Sequence, residues 1–178
     1  MIEQLSHFLA VKIHDANPDI DKKESVEVLS YSLSITLNYL LVFSFSLLIG
    51  YSTNEFVSTI ISMISFIVLR IFSKGYHAKS LTTCFILTTA IIATIPHLKA
   101  QDYMNVINIV NVFLVLFLAP NDSYEEEAIL KKRVYLLKGI SLIIVLSNFI
   151  ISSHIVALSF FAQSLLLLPR RPTMKSQG

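Results

Sequence analysis

Long apolar runs alternate with short polar segments along this chain. The runs cover six stretches, at residues 29–51, 56–70, 81–98, 104–119, 134–152 and 154–169. A helix of about 20 apolar residues crosses the hydrocarbon core of a membrane, and shorter helices can do so where they meet a thinned bilayer or a wet interior. The pattern predicts an all-α integral membrane protein with about six transmembrane helices, forming a single multi-pass domain over residues 1–178.

Residues 1–28 precede the first run and have a different pattern. Apolar side chains recur there at helical spacing, at Ile2, Leu5, Phe8, Leu9 and Ile13. This spacing favours an amphipathic N-terminal helix that lies in the membrane interface. It fits equally well a helix that packs on the bundle, so both interpretations stay open.

Composition agrees with a membrane protein in contact with a lipid bilayer. Hydrophobic residues make up 54% of the chain and charged residues 15%, against about 25% charged in soluble proteins. The net charge of +2 argues against a nucleic-acid partner. The histidines show no metal-ligand spacing and the chain has no phosphate-binding loop, so we expect no metal and no cofactor.

The basic residues orient the chain in the membrane. With six spans, every Lys and Arg except Lys99 falls on the same side. That side carries the N-terminal segment, the second–third and fourth–fifth connections, and the C-terminal tail. Because basic residues collect on the cytoplasmic side, we expect both termini and both basic connections to be cytoplasmic.

Candidate chemistry lies between the second and third runs, in the sequence RIFSKGYHAKSLTTC from Arg70 to Cys84. Cys84 is the only cysteine, and His77 lies seven residues before it. A thiolate is the nucleophilic form of cysteine, so it needs a base and nearby positive charge, here supplied by Lys74 and Lys79 with Arg70. The alternative is a basic loop beside the membrane, followed by a cysteine that packs as a small apolar residue.

The spacing of His77 and Cys84 sets a condition on this chemistry. Residues seven apart on one continuous helix are separated by about 10 Å along its axis, whereas a base must come within about 3 Å of its target. The helix must therefore break between them. Gly75 and Ser80 give the chain room to turn, and Ser80 is suited to cap the helix that carries the thiol.

A polar set occurs inside the fourth run, at Asn105, Asn108 and Asn111. We expect these asparagines to share one side of a helix, to face the interior of the bundle and to hold helices together.

Two segments resemble a known family. Arg70, Lys74, Gly75, His77, Ala78 and Cys84 resemble the signature of accessory gene regulator protein B, the AgrB-like membrane cysteine endopeptidases. Ala119-Pro120 with Asp122, followed by Lys131-Lys132-Arg133, is similar to that family's second segment. The length and the basic loops fit as well, so the resemblance covers nearly the whole chain. One departure is Lys74-Gly75-Tyr76, where family members often have a Gly-Gly pair.

The resemblance implies a reaction and a location. Cys84 would attack a carbonyl of a small precursor peptide, with His77 as base and then acid, and would hold the peptide as a thioester. A thiol or hydroxyl of the peptide would then close a thiolactone or lactone ring, giving a quorum-sensing signal. The resemblance implies a multi-pass protein of the bacterial cell membrane with its active site at the cytoplasmic face.

The basic residues have two interpretations. In one, they attract the acidic C-terminal tail of the precursor at a substrate-binding site. In the other, they serve only to orient the chain in the membrane. The basic residues are Arg70, Lys74, Lys79, Lys131, Lys132 and Arg133, and the predicted substrate-binding set also includes Gly75.

Other classes of protein remain as alternatives. One is a non-enzymatic small transporter or assembly protein with a structural cysteine, although transport calls for ionisable residues in mid-span and these runs have almost none. Another is a cysteine acyltransferase with the same Cys84 and His77. A homodimer is also open, because no GxxxG or heptad pattern identifies a pairing face.

Overall fold

The structure is a computed structural model that describes residues 2–16, 22–75, 80–120 and 131–168. Within those ranges the chain forms helices and no strand, so the all-α prediction is confirmed. The α-helices are α1 (Ile2–Asp15), α2 (Lys22–Ser52), α3 (Phe56–Ser73), α4 (Leu81–Thr94), α5 (Met104–Leu118), α6 (Lys131–Ile151) and α7 (His154–Leu165). A 3-10 turn, Ile95–His97, extends α4.

Three of the described helices are long and apolar enough to cross a membrane. They are Val26–Ser52 within α2, Phe56–Ser73, and Arg133–Ile151 within α6. The remaining apolar helices, Leu81–His97, Met104–Leu118 and His154–Leu165, are shorter. Each of the six predicted runs therefore contains a helix, while the number of spans and the side of each terminus stay predictions.

The chain divides into two compact units. The first comprises Met1–Thr59 and His77–Pro96, and the second comprises Ile60–Tyr76 and His97–Gly178. Helices α1, α2 and α4 belong to the first unit. Helices α5, α6 and α7, with most of α3, belong to the second.

In the first unit, α1 packs against α2 through a narrow face. Its buried residues recur once per turn, at Ile2, Ser6, Ala10 and His14. Small side chains such as Ser6 and Ala10 let two helices approach closely. The apolar side chains Leu5, Phe8 and Ile13 stay exposed. Packing on the bundle is thus correct for one face of α1, and an interfacial position for the other face stays a prediction.

In the second unit, a small apolar core joins α3, α5, α6 and α7. Its buried members are Leu69, Val115, Ala119, Val145, Val156, Phe160 and Leu167. Polar pairs cross the same core: the Ser159 hydroxyl donates to the Ser62 hydroxyl at 3.1 Å, where both side chains are fully buried. Such pairs satisfy groups that would otherwise be costly to bury in an apolar interior.

Two of the three asparagines of α5 face the interior, as predicted. Asn108 accepts a hydrogen bond from Asn148 of α6 at 2.9 Å, and Asn111 donates to the carbonyl oxygen of Ala157 in α7 at 2.9 Å. Both are fully buried and link helices as expected. Asn105 is exposed, so the prediction was wrong there. The reason is helix geometry: six residues turn the helix by about 600°, which leaves Asn105 and Asn111 about 120° apart.

Candidate functional site

The stretch between α3 and α4 breaks the helical path. Helix α3 ends at Ser73, and Lys74 and Gly75 have positive φ angles of 57° and 121°. Helix α4 begins at Leu81. Ser80, which lies between His77 and Cys84, is extended, with φ −113° and ψ 133°, so the helix that carries Cys84 begins after Ser80. The pairing of His77 with Cys84 stays a prediction.

Gly75 is required at this turn by both conformation and space. A φ of 121° is rarely adopted by residues with a side chain. A Cβ atom at Gly75 would lie 3.1 Å from the carbonyl oxygen of Leu166 and 3.2 Å from the Leu167 side chain. The backbone of the turn therefore packs directly against the residues that follow α7.

Gln163 of α7 holds the end of α3. Its Nε2 donates to the Lys74 carbonyl oxygen at 2.7 Å and to the Ser73 hydroxyl at 3.2 Å, and its Oε1 accepts from Arg70 Nη1 at 3.2 Å. The partners fix which way the amide points, because a guanidinium only donates and a carbonyl only accepts. Gln163 is fully buried, so these bonds offset the cost of removing its amide from water.

Arg70 combines a structural contact with its charge. Besides the bond to Gln163, its guanidinium lies 5.8 Å from the centre of the Phe66 ring, within range of a cation–π interaction. The structure therefore brings Arg70, Lys74 and Gly75 together around Gln163.

Cys84 lies in the opening turns of α4. Its backbone N–H donates to the Ser80 carbonyl oxygen at 3.0 Å, and its Sγ lies 4.0 Å from the Thr88 hydroxyl, one turn further along. The thiol is free, and the residue is only partly buried. A partly exposed thiol near a helix start is open to a reaction partner, unlike a cysteine enclosed in a core.

The start of α4 is capped by Glu3, which lies on α1. Ser80 occupies the N-cap position, but its side chain makes no capping bond to the helix, so the expectation that Ser80 caps was wrong in this respect. Glu3 Oε1 instead accepts the Leu81 N–H at 2.7 Å and the Ser80 hydroxyl at 3.1 Å. The other carboxylate oxygen lies 3.5 Å from the Thr82 hydroxyl. A carboxylate outcompetes a hydroxyl here because it is charged and has two acceptor oxygens.

The hydrogen bonds also stabilise the ionised form of Glu3. A bond from its own backbone amide has the largest effect, and the Leu81 amide and Ser80 hydroxyl add to it. They outweigh the opposing effect of burial and lower the pKa of Glu3 to about 2. The cap is therefore anionic throughout the physiological pH range.

Other predicted site residues are placed only in part. His77 and Lys79 lie outside the described residues. Lys131 and Lys132 open α6, but their side chains lie outside the description, while Arg133 beside them is exposed. Cys84 belongs to the first compact unit, whereas Arg133 and the group around Gln163 belong to the second.

Glu3 and Gln163 were not predicted from the sequence to belong to the site. Gln163 carries the only amide side chain in the apolar run 155–168, which is a signal of a buried polar contact. Glu3 is the only acid in the first 14 residues, but no spacing rule connects it with Leu81.

A comparison with known protein families covers this stretch of the chain. The family model of accessory gene regulator B matches residues 6–168, a range that includes the turn at Gly75, Cys84 and Gln163, and leaves out Glu3. The comparisons return no match among curated proteins or among solved structures. The family takes part in processing the peptide of a quorum-sensing system. Since the match extends over most of its length, this chain belongs to the accessory gene regulator B family of membrane proteins.

Proposed function

We propose that this protein is a membrane-embedded cysteine endopeptidase that cleaves a small precursor peptide and promotes its cyclisation. Family membership implies a part in peptide processing. The proposal adds the chemistry: Cys84 is the nucleophile, and His77 is the general base and then the general acid.

The reaction proceeds in two acyl transfers. His77 takes the proton of the Cys84 thiol, the thiolate attacks a peptide carbonyl, and the C–N bond breaks as His77 returns the proton to the leaving amine. The precursor is then held as a thioester on Cys84. A thiol or hydroxyl of the same peptide attacks the thioester carbonyl, its proton passes through His77 to the Cys84 sulfur, and the ring closes. Exclusion of water favours this internal attack over hydrolysis.

The observation that carries the proposal is the break between α3 and α4. An unbroken helix would hold the imidazole about 10 Å from the thiol along its axis, which is too far for proton transfer. Ser80, between these two residues, is extended, and the partly exposed Cys84 follows in the helix that begins at Leu81. The relative position of His77 is part of the proposal.

We further propose that the basic residues bind an acidic C-terminal tail of the precursor. They are Arg70, Lys74, Lys79, Lys131, Lys132 and Arg133, and Gly75 belongs to the same proposed set. Arg133 offers the cleanest test because its side chain is exposed. Arg133→Gln should raise KM for a precursor with an acidic tail and leave KM unchanged for one whose tail is neutral. If Arg133→Gln changes KM equally for both precursors, the basic residues do not bind the acidic tail and serve only to orient the chain in the membrane.

In the proposed topology six helices cross the bacterial cell membrane, and both termini and the active site face the cytoplasm. The shorter helices α4, α5 and α7 then require a locally thinned bilayer or a wet interior.

The central experiment is co-expression with a candidate precursor, followed by mass spectrometry of its fragments. Wild type should release the C-terminal fragment, whereas Cys84→Ala and His77→Ala should leave the precursor whole. The matched control is Cys84→Ala with Thr88→Cys, which moves the only thiol one turn along the same helix. This control should react with maleimide and yet fail to cleave. Cleavage by Cys84→Ala would refute the proposal.

The alternative, a non-enzymatic transporter or assembly protein, makes a different prediction for thiol chemistry. A catalytic Cys84 should be alkylated rapidly at neutral pH and more slowly in His77→Ala. A structural thiol should react at the same rate in both proteins. An acyltransferase would share the response to His77 and differ in its substrate.

A further inference from the structure

We propose that Glu3 is a positioning residue for the reaction, because it holds the first turn of the helix that presents Cys84. This inference rests on the proposed function for its effect on cleavage. Its structural part, that the α4 start depends on a carboxylate supplied by α1, can be measured without any substrate.

The argument begins with the unsatisfied N–H groups at a helix start. The first turn of a helix has N–H groups without an intrahelical acceptor, and a capping side chain satisfies one or more of them. In α4 the Ser80 side chain makes no such bond. Glu3 accepts the Leu81 N–H at 2.7 Å, a short bond strengthened by the carboxylate charge.

Cys84 is tied to the same turn. Its N–H bonds to the carbonyl oxygen of Ser80, and the Ser80 hydroxyl donates to Glu3 at 3.1 Å. Glu3 therefore fixes Leu81 and Ser80, which in turn fix the backbone of Cys84. If the turn frays, the position of the sulfur is no longer fixed, and a displacement of about 1 Å can cost about a hundredfold in rate.

The position of Glu3 itself is secured through α1. Ser6 and Ala10 of that helix are fully buried, and α1 packs against α2. Helix α2 in turn contacts α4, where Phe45 meets Phe85 edge to face at 5.4 Å. The three helices of the first unit thus form a closed set of contacts that presents one carboxylate to the start of α4.

The test compares Glu3→Ala, Glu3→Asp and Glu3→Gln with wild type in detergent or nanodiscs. Hydrogen exchange of the Leu81 region should be about threefold to thirtyfold faster in Glu3→Ala, as expected for loss of a cap. The kcat of precursor cleavage should fall about tenfold or more, with KM within about twofold of wild type, because a positioning residue acts on the placement of the thiol and not on substrate binding.

The conservative variants separate geometry from charge. Glu3→Gln keeps an oxygen at the same reach and should retain intermediate exchange and kcat. Glu3→Asp keeps the charge but is shorter by about 1.5 Å, so it should behave like Glu3→Ala. Full activity of Glu3→Asp combined with loss in Glu3→Gln would overturn the positioning role in favour of a charge effect.

Control variants separate the role of Glu3 from the role of Cys84 in cleavage. Glu27→Gln removes another, exposed carboxylate of the first unit and should change neither readout. Hydrogen exchange within α6 reports global unfolding. If Glu3→Ala does not accumulate in cells, the comparison of Glu3→Asp with Glu3→Gln tests the positioning role instead. Cleavage by Cys84→Ala would refute the protease while leaving the exchange result valid. Loss of cleavage in Cys84→Ala with wild-type exchange and kcat in Glu3→Ala would overturn this inference alone.

Discussion

Replacing Gly75 by alanine tests the turn on which the candidate site depends. At φ 121° an alanine is strained by about 1–3 kcal/mol. Its Cβ would also lie 3.1 Å from the Leu166 carbonyl oxygen, a backbone atom that cannot rotate away. Overpacking of this kind adds about 1–3 kcal/mol. We therefore expect Gly75→Ala to lower the free energy of unfolding by about 2–6 kcal/mol.

The chain offers a matched control in Gly139. A Cβ there would meet no atom within 4 Å, and the residue lies inside α6. Since glycine in a helix is about 1 kcal/mol less favourable than alanine, Gly139→Ala should be neutral or stabilising. The two substitutions are chemically identical, so their difference isolates the environment of Gly75.

The assay is thermal unfolding of the purified protein in detergent, alongside cleavage of the precursor. Gly75→Ala should lower the apparent Tm by about 5–20 °C and reduce cleavage, whereas Gly139→Ala should raise the Tm by a few degrees or leave it unchanged. If the turn opens locally, cleavage falls without a change in Tm. Wild-type Tm and wild-type cleavage in Gly75→Ala would refute the account of this turn.

Three further predictions concern polar contacts. Gln163→Leu removes the 2.7 Å bond that the buried amide donates to the Lys74 carbonyl oxygen. Its loss should lower the free energy of unfolding by about 1–3 kcal/mol, measured by the same thermal assay, and an unchanged Tm would contradict this. Asn148→Ala and Asn108→Ala should be non-additive by about 0.5–2 kcal/mol in a double-mutant cycle, and strict additivity would argue against their bond. The pKa of Glu3, lowered from 4.5 to about 2, means that its cap stabilises α4 fully above pH 4.5 and is lost as the pH falls toward 2. A carboxyl NMR titration of Glu3 with a midpoint near 4.5 would disprove this.

The sequence was sufficient for the elements and for the break between α3 and α4. The predicted run 104–119 corresponds to helix Met104–Leu118, and the run 56–70 to helix Phe56–Ser73. An apolar run predicts a helix because a backbone group exposed to lipid needs a hydrogen-bond partner within its own segment. The polar residues and Pro120 that follow the runs predict where the helices end. Gly75 indicated a turn because few other residues tolerate a positive φ.

The contacts that hold this turn and the start of α4 could not be predicted in the same way. The Leu81 N–H donates to an acceptor 78 residues away, and the Lys74 carbonyl accepts its 2.7 Å bond from a donor 89 residues away. Helical periodicity shows which side of a helix is polar, but it carries no information about which distant residue that side meets. The exposed Asn105 illustrates the same limit on a single helix, because three-residue spacing drifts around the axis.

The bond between Gln163 and the end of α3 has a consequence for biosynthesis. A chain is made from its N-terminus, and early segments fold before later ones exist. The partner of Ser73 lies 90 residues downstream, in the last described helix. The turn that precedes Cys84 therefore cannot form its final hydrogen bonds on the ribosome until α7 has been synthesised and inserted. A nascent chain that already contains Cys84 would still lack the finished turn, which delays its maturation to the end of translation.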